Sequence, residues 1–178
     1  MIAGVPPPRA ILETDRLFLR EFVAEDLAAL CKILCDAETM RFYPEAFDEA
    51  AAKEWIARNQ RRYATQGHGL WAADLKSTGE MIGDCGITSQ EVDGELLLEI
   101  GYHLRRDLWG LGLATEAARA CRDHGFAKLN AEFLVSLIRP ENVPSRRVAE
   151  RNCMTVWKET MHRGLRHLVY RVDREEKF

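Results

Sequence analysis

Trp109-Gly110-Leu111-Gly112-Leu113-Ala114-Thr115 is the stretch on which the reading of this chain turns. An apolar run with strand character, Leu96 to Leu104, precedes it, and a segment of helix-forming composition begins near Leu113. Two glycines and an alanine at a strand-to-helix junction let the backbone turn tightly and bring its N–H groups close to a ligand, while the helix N-terminus adds partial positive charge. The expectation is an anion site, most naturally for phosphate; the alternative is a tight turn chosen for its geometry alone. A P-loop is disfavoured, because it ends in Gly-Lys-Ser/Thr and no lysine lies between Ser77 and Ala127. A dinucleotide fingerprint is disfavoured too: Thr115 stands where its third small residue belongs, and the turn lies past the middle of the chain.

Outward from the turn, Asp93-Gly94 separates the strand Glu95 to Leu104 from Met81-Ile82-Gly83-Asp84-Cys85-Gly86-Ile87, and Lys76 to Glu80 joins that run to the strand Leu70 to Leu75. Three successive strands therefore form an antiparallel meander. On the other side, Leu113 to Lys128 carries Ala114, Ala117, Ala118, Cys121 and Gly125, small residues that let a helix lie close on a sheet. Phe133 to Ile138 is a short apolar strand of the buried, parallel type, so the turn sits inside a strand–helix–strand crossover. Asn142-Val143-Pro144-Ser145 caps a basic helix through about Asn152, and strands near Thr155 to His162 and His167 to Asp173 follow.

Toward the N-terminus, Leu12 to Phe22 alternates Leu17 and Leu19 against Arg16, Phe18 and Arg20 and reads as a first strand. A helix opens at Ala24-Glu25-Asp26-Leu27 with a stripe of Leu27, Leu30, Cys31, Leu34 and Cys35. Asp48 is the expected N-cap of a helix from about Glu49 to Thr65, with Ala52, Trp55, Ile56, Asn59 and Tyr63 inward and Arg58, Arg61 and Arg62 on a solvated face. Pro6-Pro7-Pro8 forces an extended leader, so residues 1–10 are expected to be a flexible leader and 11–178 a single domain.

The chain has 178 residues and 47% hydrophobic content, enough for one domain with a full core. Its formal net charge of -3 gives no global attraction to nucleic acid or to an anionic membrane, and neither is an expected partner. Five scattered cysteines suit reduced thiols in a cytoplasmic protein. Cys31 and Cys35 share a helical face, but no second ligand pair follows, and no metal is expected.

Taken together, Thr14-Asp15-Arg16-Leu17-Phe18-Leu19-Arg20, Trp71-Ala72-Ala73, Met81 to Gly86, Glu99-Ile100-Gly101-Tyr102, Trp109 to Glu116 and Arg139-Pro140-Glu141-Asn142-Val143-Pro144-Ser145-Arg146-Arg147-Val148 resemble the GNAT superfamily of acetyl-CoA-dependent N-acetyltransferases. Within it the chain is most similar to the ribosomal-protein N-terminal-alanine acetyltransferases and their relatives, over about residues 12–172. The resemblance implies an α/β (α+β mixed) fold: a central, mostly antiparallel mixed sheet of about six or seven strands, two of them splayed apart, with about four flanking helices. It also implies acetyl-CoA as cosubstrate. Its pyrophosphate would lie on the backbone of Leu111, Gly112, Leu113, Ala114 and Thr115, and its pantetheine arm against the freed strand at Ile100, Gly101, Tyr102 and Leu104, with Asn142, Ser145 and Arg147 from the later motif. Arg105 and Arg106 either add charge there or form a solvated strand end. Trp109 replaces the polar first residue of the family's phosphate loop. Ala149 stands where many members have the Tyr that protonates the leaving thiolate, and Cys153 where most have Gly. Ser145 is the substitute acid, unless it serves only as a helix cap.

Acetyl transfer to an amine needs a neutral nucleophile, and an alkyl amine of pKa ~10 is mostly protonated at neutral pH. Glu99, following Leu96-Leu97-Leu98, is the expected base, directly or through water; His103 and His162 are rivals. The Tyr102 N–H is expected to polarise the thioester carbonyl. Trp71, Phe42 and Tyr43 either line an acceptor pocket or pack in the core. Glu38, Glu45, Asp48 and Glu49 either attract a cationic amine or are ordinary caps and surface charges. The expected reaction is direct attack by a primary amine, of a peptide or a small molecule, in a ternary complex on a monomer or homodimer. The alternatives are another acyl group, an oxygen acceptor, or a non-catalytic acyl-CoA sensor.

Overall fold

A computed structural model describes residues 10–174, so most of the proline-rich leader lies outside the described residues. Its eight strands form one sheet in the order β1-β2-β3-β4-β5-β6-β8-β7. The meander is present as β3 (Leu70–Leu75), β4 (Met81–Val92) and β5 (Glu95–Leu104), continuous in register from Gly83↔Leu104 to Val92↔Glu95. The first strand is instead a hairpin. β1 (Ala10–Glu13) and β2 (Leu17–Arg20) pair antiparallel, because Thr14 turns the chain by accepting from the Leu17 N–H on its hydroxyl at 2.9 Å. All four residues of β2 are buried, so the alternation there reflects two covered faces rather than one.

β6 (Phe133–Ile138) is parallel to β5, and β8 (Leu165–Asp173) lies between β6 and β7 (Thr155–His162). The helices are α1 (Leu27–Leu34), α2 (Glu49–Gln66), α3 (Leu113–Ala127) and α4 (Val143–Arg151). Asp48 caps α2 by accepting from the Ala51 N–H at 2.7 Å.

Two cores divide the helices between the faces of the sheet. Leu30, Ile33 and Leu34 of α1 and Ala52, Trp55 and Ile56 of α2 pack with Leu70, Ala72 and Met81. On the opposite face Leu113, Ala117, Ala118 and Cys121 of α3 and Ala149 of α4 pack with Trp71, Cys85, Ile87, Ile100 and Leu104. Gly125 makes the close approach of α3 possible: a Cβ there would fall 2.8 Å from Leu134 Cδ1.

The sheet opens where the site lies. β5 and β6 are paired only at Glu99↔Val135, whereas β6 stays paired with β8 as far as Ile138↔Leu168. Beyond Glu99, β5 therefore runs beside a gap, and its residues alternate between the faces. Ile100 and Leu104 enter the α3 core, while His103 meets Trp55 and Tyr43 on the α2 face. Glu99, four residues earlier on the same strand, shares the His103 face.

Candidate active site

A continuous cleft of about 1590 Å³ runs through this opening from the α3 loop to the α2 face. At its first end, Gly110 and Gly112 both take φ of 79°, a left-handed conformation that L side chains rarely adopt, and the chain turns there without strain. Gly112 is the N-cap of α3 and brings no capping side chain, so the first N–H groups of the helix lack an intrahelical acceptor, and Leu113, Ala114 and Thr115 line the cleft. The loop is pinned from a distance. Arg16 Nη1 donates to the Leu111 carbonyl at 2.9 Å, and Arg16 Nε and Thr14 Oγ1 both donate to Glu116 at 2.6 Å. Burial resists the Glu116 charge, but these donors outweigh it and hold its carboxyl below the usual range. This staple went unread in the sequence because its halves are about a hundred residues apart.

In the gap itself, Ser136 Oγ donates to the Ile100 carbonyl at 2.8 Å, taking the place of a β6 backbone donor. Alternation along β5 turns the Tyr102 N–H and C=O to the same side as that carbonyl, where no β6 partner exists. The Tyr102 phenol crosses the α4 side of the cleft and donates to the Ser145 carbonyl at 2.9 Å. Asn142, not Ser145, caps α4: its Oδ1 accepts from the Ser145 N–H at 3.2 Å. Ser145 is thus relieved of the capping role, and it lines the cleft half-buried. Ala149 is buried in the α3–α4 core and leaves that face without a tyrosine. Leu104 and Arg147 line the cleft; Arg105 does not, being drawn to Asp107 at 2.8 Å and Glu80 at 3.5 Å.

Glu99 sits at the root of the opening, where its Oε1 accepts from the Leu137 N–H at 3.2 Å. Burial raises its pKa above the ordinary carboxylate value, although the Leu137 and Gln90 hydrogen bonds pull the other way. On the same face, His103 Nδ1 lies 2.8 Å from Asp84 Oδ1 and Nε2 lies 2.7 Å from Tyr43 Oη. Burial disfavours the imidazolium, but the Tyr43 oxygen and the Asp84 carboxylate prevail and lift its pKa to about 10. The raised pKa favours the protonated ring, whose two nitrogens face Asp84 and Tyr43. His162, at the mouth, has its pKa lowered by burial and by Arg163 and is neutral.

Of the aromatic residues, Trp71 belongs to the core against His124, while Phe42 and Tyr43 line the cleft. Trp55, read as a core residue of α2, also faces it and donates from Nε1 to Asp84 at 2.9 Å. Asp48 is engaged as a cap and Glu38 pairs with Arg41. Arg58 and Arg62 are not on a solvated face: both are half-buried and line the cleft, a position hidden in a helix sequence until its packing is known. Among the described residues no group of three or more His, Cys, Asp or Glu is arranged to hold a metal ion, and no helix is long and apolar enough to cross a membrane.

Comparison with known proteins gives a consistent picture. Residues 16–155 match the family described as "Acetyltransferase (GNAT) domain". The uncharacterized protein YkkB of Bacillus subtilis (strain 168) is 42% identical over 141 residues, 79% of this chain and 82% of its own. The crystal structure of an acetyltransferase from Agrobacterium tumefaciens str. C58 superposes with a TM-score of 0.79 at 32% identity, covering 92% of this chain and 94% of that one. Mycobacterium smegmatis RimJ, solved in complex with CoA-disulfide, shares the fold at a TM-score of 0.73 and 20% identity, covering 97% of this chain and 90% of its own.

Proposed function

The chain belongs to the GNAT acetyltransferase family and is an acyltransferase; on that premise we propose that it transfers the acetyl group of acetyl-CoA to a primary amine by direct attack in a ternary complex. The observation that carries this reading is the placement of Glu99. A carboxylate of raised pKa stands where β5 parts from β6, on the face opposite the α3 loop.

The residues of the chain divide the work. The N–H groups of Leu113 to Thr115 hold the donor's pyrophosphate, as the relation to CoA-binding RimJ supports. The Tyr102 N–H, without a strand partner, is available to pair with the donor as an added strand would or to hold the oxygen on which negative charge develops. Acetyl-CoA supplies the activated acyl group as a thioester. Glu99, directly or through a water, takes a proton from the acceptor's ammonium so that the neutral amine attacks the thioester carbonyl, and the Ser145 hydroxyl, free of the capping task, donates to the departing sulfur. The charged His103 fixes Tyr43 and Asp84 rather than moving a proton.

The test is thiol release from acetyl-CoA in the presence of a panel of amines, with mass detection of the acetylated product. Transfer predicts amine-dependent release. Gly112→Glu, which adds a negative side chain at a left-handed position beside the phosphate site, is expected to weaken acetyl-CoA binding at least about tenfold. Binding without release by any amine would favour an acyl-CoA sensor, and full affinity in Gly112→Glu would remove the phosphate assignment.

A further inference from the structure

Arg58 and Arg62 of α2 and Arg163 of the β7–β8 turn line the Glu99 side of the cleft. Several arginines elsewhere pair with a carboxylate, as Arg61 does with Glu54 on the outer face of the same helix. These three do not. Arg58 lies with its guanidinium 4.7 Å over the Trp55 ring, and its Nε is buried without a hydrogen-bond partner. Among the described residues, the hydrogen bond of Arg62 is a long one, 3.5 Å to Asn59 Oδ1, and Arg163 has no ion pair. Burial lowers the pKa of both Arg58 and Arg62 and Arg163 adds repulsion to each, while Glu54 opposes this at Arg58 and Glu99 at Arg62.

The charges facing this end can be counted. Three guanidiniums oppose the one carboxylate of Glu99, His103 and Asp84 cancel as a pair, and His162 is neutral. Arg139 is offset by Glu141 at 3.5 Å. Asp48 and Glu45 are exposed at the rim, where water screens their charges. The phosphates of the donor do not account for the excess. Their cradle is on the α3 face, where Arg119, Arg147 and Arg151 line the cleft, whereas Arg58 and Arg62 project from α2 on the opposite face of the sheet.

We propose that the acceptor is an amine carrying an anionic group, carboxylate or phosphate, which Arg58, Arg62 and Arg163 hold while its amino group is presented to Glu99. This rests on the acetyl-transfer reading and narrows it. Guanidinium groups match both anions in planar, bidentate geometry, and stacking on Trp55 fixes Arg58 before the ligand arrives. The anchor has a second consequence: with the anion fixed, the ammonium is held beside Glu99, so its proton has an acceptor within reach.

The experiment compares kcat/KM for thiol release with free amino acids, their carboxamides, an aminoalkyl phosphate, a peptide with an acidic second residue, and spermidine. Anionic amines are expected to exceed the carboxamides by about tenfold or more, the value of one or two charge-assisted hydrogen bonds. Arg62→Gln and Arg163→Gln are expected to collapse that ratio through KM for the amine, with the KM for acetyl-CoA retained as a check on folding. The relative rates of amino acid, phosphate and peptide identify the source of the anion. Preference for spermidine or the carboxamides, or an unchanged ratio in both variants, would overturn the proposal while leaving transfer intact. If no amine releases thiol, transfer itself fails. The anion site is then read by calorimetry with N-acetyl amino acids against their amides: preference for the acid, lost in Arg62→Gln, supports it, and equal affinity overturns it.

Discussion

His103 shows how one side chain's surroundings change its chemistry. Histidine beside a strand break invites a reading as a base, yet Asp84, Tyr43 and the edge of Trp55 enclose this ring and keep it protonated. None of those three neighbours is close to it in sequence, so the sequence carries no sign of the pairing. A folded pKa of about 10 against an ordinary 6.5 means that the folded state binds a proton more tightly than the unfolded chain. The resulting stability is fully present below pH 6.5 and is lost as pH rises through 10. Between about pH 6.5 and 7.5, below the range where thiols and phenols titrate, the melting temperature is expected to fall, and His103→Gln to flatten that slope. Equal slopes in the two proteins would show that His103 is not held protonated. Arg58 and Arg62 teach the same lesson. A basic helical stretch normally marks a solvated face, and only the packing of Trp55 turns these two inward.

At the scale of elements, most boundaries were legible because local chemistry writes them. Asp48 opens α2, Gly67 closes it at φ of 74°, and the glycine turn opens α3. The hairpin of β1 and β2 was not, because Thr14-Asp15-Arg16 carries no glycine or proline and the turn is made by a hydroxyl–backbone bond. The end of α4 holds a testable irregularity. Met154 N–H reaches the Ala149 carbonyl and Cys153 N–H the Glu150 carbonyl, which is the Schellman pattern with Cys153 in the left-handed position at φ of 63°. Glycine is the residue that position favours, and Cys153 is exposed, so it contributes little packing. Cys153→Gly is expected to stabilise the protein by about 0.5–1 kcal/mol, the backbone penalty removed less the added chain entropy of glycine. Calorimetry should register a rise of about 1–4 °C in Tm; no change or a fall would mean that the turn is not strained.

For the whole molecule, two cores on opposite faces of one sheet meet at a gap after Glu99, and the gap joins the glycine loop of α3 on one face to an arginine-lined chamber on the other. The family, the sheet and the loop were readable because motif, order and periodicity agree along most of the chain. The chamber was not, since its residues come from α2, β5 and the β7–β8 turn and only topology brings them together. The account stands most directly on Glu99 as the base. Its central measurement is the pH dependence of kcat/KM for thiol release with one fixed amine, in the wild type and in Glu99→Gln. The wild type should lose activity on the acid side with an inflection above the ordinary carboxylate range, and the variant should bind acetyl-CoA normally while its rate falls by roughly 10²–10⁴-fold. A variant that keeps the wild-type rate and pH profile would contradict the account.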